Sequence, residues 1–172
     1  MKVLKNHLGI WRVAALALVV PIMSVLATAQ SSDSAAVSQL FKQAKVHATL
    51  AYDDAKFLDA NSMSAMSWQV DIKRLERVQA HMKDLVADLG RLQTLRREAS
   101  PRQNAAIDGL ASLIHNVNSQ LSATMWWVYE NQNRFNMPPF RSRAHENMLA
   151  VEKVYQYTSK NSTYYTAELA NR

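Results

Sequence analysis

The sequence predicts an all-α fold, an up-down-up-down four-helix bundle behind an N-terminal signal peptide. Three observations carry this. Four long segments repeat apolar residues in steps of three and four, the period of a helix with one buried stripe. The 172 residues include only three glycines and four prolines, so helix breakers are scarce. Ser100-Pro101-Arg102-Gln103 places a helix start between two of those segments.

The leader comes first. Lys2, Lys5 and Arg12 form a positive region, Val13 to Leu26 is almost wholly apolar, and Ala27-Thr28-Ala29 offers small residues ahead of Gln30. This is the layout of a secretory signal peptide over residues 1–29. The apolar run is short for a membrane span and contains Pro21, which favours cleavage over an uncleaved anchor. No cysteine follows it, so lipidation through cysteine is excluded. The expected address is exported, in a bacterial periplasm. Residues 30–172 then form one domain, with helices at about 35–59, 65–98, 101–133 and 142–170.

The first helix has Ser34 as its expected cap and Val37, Leu40, Phe41, Ala44, His47, Ala48, Ala51, Ala55 and Leu58 as its stripe. Asn61-Ser62-Met63-Ser64 breaks the pattern, and Ser64 or Ser67 can cap the next helix. The second stripe is Trp68, Ile72, Leu75, Val78, Met82, Leu85, Val86, Leu89 and Leu92. Its expected solvent face carries Asp71, Lys73, Arg77, Lys83, Asp84, Asp88 and Arg91. Proline at 101 ends the second helix before it, and the capping box starts the third, so the two are antiparallel neighbours. The third stripe is Ile107, Leu110, Ile114, Val117, Leu121 and Val128. Pro138-Pro139 is read as a stop. The fourth helix is placed from Ser142, with Ala144, Met148, Val151, Tyr155, Thr158, Tyr165 and Leu169 inward. The coiled-coil-like lengths suit one bundle.

Several segments resemble a family of exported helical proteins of acidobacteria. They are Ser67-Trp68-Gln69, Leu75-x-x-Val78-x-x-His81-Met82, the Ser100 to Ile107 run and Tyr157-x-x-Lys160. The resemblance spans about residues 67 to 170 and implies a helical fold and an envelope address, with no chemistry attached. Trp126-Trp127 and Pro138-Pro139 lie outside the pattern.

The composition excludes many chemistries. Without cysteine there is no disulfide, thiolate metal site, iron–sulfur cluster, covalent haem or thiol nucleophile. The formal charge is +6. Removing the leader's three basic residues leaves 17 against 14 acidic, or +3, with both signs interspersed. Nucleic acid is therefore not an expected partner. No Gly-x-Ser-x-Gly elbow, phosphate loop, His-Glu-x-x-His or Glu-x-x-His motif occurs. His47, His81 and His115 fall at similar heights, but lie about 60°, 90° and 130° off their stripes. His47 is read as flanking, the other two as exposed. Asp53-Asp54 is read as solvated surface. No catalytic residue, metal ligand, cofactor or small-molecule substrate is assigned.

One feature departs from ordinary patterning. Trp126, Trp127 and Tyr129 lie about 150°, 110° and 90° from the apolar centre of the third helix. Large aromatics on a face meant for water suggest an interaction patch, unless the linker folds over them or the helix shifts phase. Phe135, Phe140 and Arg141 complete the candidate patch, with Arg134 and Arg143 adding charge. Basic and aromatic residues together suit an acidic envelope protein, a second copy or contact with a membrane surface. Tyr157 and Tyr164 share a face off the fourth stripe. The expected function is a non-enzymatic binding or structural protein of the envelope. A periplasmic chaperone or stress-type protein is one alternative, and a bundle binding non-covalent haem or metal is another.

Overall fold

The computed structural model describes residues 20–62, 68–131 and 138–170. These form four α-helices, α1 (Val20–Asn61), α2 (Trp68–Thr94), α3 (Pro101–Glu130) and α4 (Pro138–Ala170). No strand occurs among the described residues. Helix α1 packs against α2 and α4, and α3 packs against the same two from the opposite corner. Long-range contacts fix the direction of each helix. Phe41 meets Tyr165 and Tyr52 meets Tyr155, so residue numbers rise along α1 as they fall along α4. His47 meets Asp88, while Asp54 further along α1 meets Arg74, so α1 and α2 are antiparallel too.

Each helix contributes a stripe with alternating steps of four and three, the spacing that keeps side chains on one core-facing seam. In α1 it is Val37, Phe41, Ala44, Ala48, Ala51, Ala55 and Leu58, all buried. In α2 it is Asp71, Leu75, Val78, Met82, Leu85, Leu89 and Leu92. In α3 it is Gln103, Ile107, Leu110, Ile114, Val117, Leu121, Thr124 and Val128. In α4 it is Phe140, Ala144, Asn147, Val151, Val154, Thr158, Ser162 and Tyr165, whose last three steps are four, four and three. The alanines of α1 let its neighbours approach closely, and large side chains of the other helices fill the space.

The start of α3 follows the expected chemistry. The Ser100 hydroxyl accepts from Gln103 N at 3.2 Å, and Ser100 N donates to Gln103 Oε1 at 2.8 Å. Both halves of the capping box are present, with Pro101 in the first turn. Asn104 reinforces the corner by donating to the carbonyls of Arg96 and Ala99.

Four expectations are corrected. Helix α4 begins at Pro138, not near Ser142. The two prolines form its first turn, where the missing N–H groups have no helical acceptor to lose. Helix α1 runs through Ser34 from Val20, since no glycine or proline follows Pro21 before the bundle. Helix α2 is regular only from Trp68 to Thr94, and turns cover Leu95 to Glu98. Helix α3 stops at Glu130, capped by Asn131. The expected caps Ser64 and Ser67 and the linker at 132–137 lie outside the described residues.

Candidate interaction surface

Helix α3 keeps one phase to its end, because Leu121, Thr124, Met125 and Val128 all remain buried. Its aromatic residues therefore point where the period sends them. Trp126 is 66% exposed and Tyr129 is 54% exposed. One helical turn apart, they form a face directed away from the core. Trp127, turned about 100° from Trp126, is half-buried instead. Its indole stacks on Phe140 with ring centroids 6.2 Å apart, and the Arg143 guanidinium lies 5.9 Å from the ring centroid. Phe140 is fully buried.

The expected patch is thus divided. Trp127 and Phe140 belong to the seam between α3 and α4 and close that end of the core. Arg141 lines a cleft of about 580 Å3 between the end of α1 and the start of α4, with Asp59, Ala60, Pro138, Ser142 and His145. Trp126 and Tyr129 remain as the aromatic face. Phe135 and Arg134 lie outside the described residues. The cleft is polar. His145 Nδ1 donates to Asp59 Oδ2 at 3.2 Å. The Ser142 hydroxyl donates to Glu146 Oε1 at 3.1 Å, along its own helix.

The histidines and acids at the other seams are structural. His47 Nδ1 lies 2.8 Å from Asp88 Oδ2, and Arg91 Nη1 lies 3.6 Å from Asp88 Oδ1. Asp54 gathers Arg74, Arg77 and His81, and Arg74 also covers the Phe57 ring at 4.0 Å. These contacts correct three readings. His81 is half-buried and paired, Asp54 is 8% exposed, and Asp88 is 1% exposed. Charged positions beside the stripe of one helix meet their opposites across the α1–α2 seam, a partnership that one helix's own pattern does not reveal. His115 is exposed as expected, and Val86, read as inward, is 44% exposed. Among the described residues, no three acidic or histidine side chains gather as metal ligands.

The tyrosines of α4 resolve into packing. Tyr155 stacks on Tyr52 at 5.2 Å. The Tyr157 hydroxyl donates to the Ala106 carbonyl at 3.1 Å. Arg102 covers Tyr164 at 3.5 Å. Burial pushes the Tyr165 hydroxyl up to about 12.

Asp71, expected on the solvent face, is the largest departure. It occupies the first core position of the α2 stripe and is 5% exposed. Desolvation pushes its carboxyl up to about 6. The signal was present in the sequence as the step back from Leu75 by four.

Searches for related proteins found no matching family model, no matching curated protein and no matching solved structure.

Proposed function

We propose that this chain is an exported, non-enzymatic protein of the bacterial envelope that acts by binding, through the outward aromatic face of α3. The observation that carries the reading is Trp126 at 66% exposure with Tyr129 at 54% one turn later. Two large aromatic side chains held outward on a regular helix are a standing cost in water, and such residues supply much of the contact energy where partners meet. The address rests on the charged, apolar and small-residue order of residues 1–29, and on the resemblance to exported helical proteins. The partner class is an envelope protein or a second copy, with membrane-surface contact as a further route. A binding role also fits the histidines and acids of the α1–α2 seam, which are committed to ion pairs.

The test uses the chain from Gln30 onward. Its self-association is measured by sedimentation, and its binding to a membrane extract by cross-linking at Trp126. Wild-type protein is expected to associate or cross-link, and Trp126→Ala with Tyr129→Ala to lose this while staying helical. Equal behaviour of the two proteins contradicts the reading.

A further inference from the structure

One end of the core is polar. There, α1 ends at Asn61 with Ser62 just beyond, Asp71 lies in the first turn of α2, Thr124 and Val128 in the last turns of α3, and Phe140, Ala144 and Asn147 in the first turns of α4. Asp71, Thr124 and Asn147 all occupy stripe positions and are 5%, 2% and 2% exposed. Their hydrogen bonds can be followed one proton at a time. The Thr124 hydroxyl donates its only proton to the Gln120 carbonyl at 2.9 Å. Asn147 Nδ2 must then be the donor in its 2.9 Å contact with Thr124 Oγ1, which fixes the amide orientation. The Ser62 hydroxyl is spent on the Asp59 carbonyl at 2.7 Å. Asn147 Oδ1 is left buried with no donor, a costly arrangement in a core.

Among the described residues, no cation is paired with Asp71, whose shift comes from burial. On α1 the buried acid is Asp54, which holds Arg74, Arg77 and His81. On α2 itself, Arg74 and Arg77 are therefore turned to Asp54, and Lys73 is exposed. The buried residues in the last turns of α3 are Leu121, Thr124, Met125 and Val128, none of them titratable. Those in the first turns of α4 are Phe140, Ala144 and Asn147, and the one histidine there, His145, is turned to Asp59. Among the described residues, a buried acid without a cation and a buried acceptor without a donor thus lie toward one end of the core.

We propose that Asp71 is a proton switch: its neutral carboxyl supplies the hydrogen bond that Asn147 Oδ1 lacks, directly or through one water, and its ionisation loosens the α2–α3–α4 end of the bundle. Burial moves the carboxyl in the direction this requires, up to about 6. The sign follows from linkage. A folded-state value above the unfolded one means that the ionised acid opposes folding at neutral pH. That opposition fades as pH falls through about 6 and is gone near the ordinary carboxylate value. The loosened end is the one that carries Trp127 on Phe140 and, on its outer face, Trp126 and Tyr129. The proposal does not depend on those residues binding anything.

The experiment is a carbon-13 NMR titration of the Asp71 carboxyl in the folded chain, beside urea unfolding of wild type and Asp71→Asn from pH 4.5 to 7.5. A midpoint near 6 is expected, against an ordinary value near 4. Asp71→Asn should unfold at higher urea than wild type at pH 7.5, and the two curves should converge at pH 4.5. Taking the difference between the two proteins removes the histidine titrations common to both. Asn147→Leu, which removes the acceptor at similar size, should lower the Asp71 midpoint. A midpoint near 4 in wild type overturns the proposal even if neither variant folds. Parallel urea curves overturn the loosening, and an unmoved midpoint in Asn147→Leu overturns the link to that residue.

Discussion

His47 Nδ1 donates to Asp88 Oδ2 at 2.8 Å across the α1–α2 seam, and Asp88 is 1% exposed. The carboxylate is thereby buried between two helices with Arg91 as its second partner. Removing His47 leaves most of that charge desolvated and poorly paired, which is costlier than losing an exposed ion pair. His47→Ala is expected to lose about 2 kcal/mol of stability by urea unfolding at neutral pH. Arg96→Ala removes the exposed ion pair with Asp108 and should lose less than about 1 kcal/mol.

Gly109 admits Tyr157 to α3. A Cβ at this position would stand 2.7 Å from Tyr157 Cζ and closer still to its hydroxyl. The ring therefore has to move, and its hydroxyl loses the Ala106 carbonyl. Gly109→Ala gains helix propensity yet should lose about 1–3 kcal/mol from overpacking. Adding Tyr157→Leu should recover part of the loss, a non-additivity read from a double-mutant cycle.

The capping box at Ser100 should act alone. Ser100→Ala removes the acceptor of Gln103 N without touching the core. A loss of about 1 kcal/mol is expected by thermal or urea unfolding.

Phe140 and Trp126 separate packing from surface. Phe140 is fully buried against Trp127, and Phe140→Ala should lose about 3–4 kcal/mol. Trp126→Ala should change stability by less than about 0.5 kcal/mol, since that indole stands in solvent.

Much of this architecture was legible because each stripe repeats over many turns and the break at Ser100-Pro101 has its own local chemistry. The α3 stripe from Ile107 to Val128 is buried as its spacing required. The angle assigned to Trp126 was also informative, because a regular helix carries phase unchanged to its end. What was hidden depends on neighbours. Asp54, Asp88 and His81 read as surface until α1 and α2 are placed side by side. Asp71 follows the core spacing in full, but its polarity argues against burial more strongly than its position argues for it, and Asn147 shares that spacing without being apolar. Pro138-Pro139 marks a boundary from either side, and the pair alone does not say whether a helix stops there or starts. The division of the aromatic patch follows from the single residue separating Trp126 from Trp127.

The outward aromatic face is tested most directly by tryptophan emission. The chain from Gln30 onward, carrying Trp68→Phe and Trp127→Phe, keeps Trp126 as its one indole. At micromolar concentration its emission should be red-shifted and readily quenched by acrylamide. A blue-shifted signal resistant to quencher, from protein that sediments as a monomer, would contradict the account.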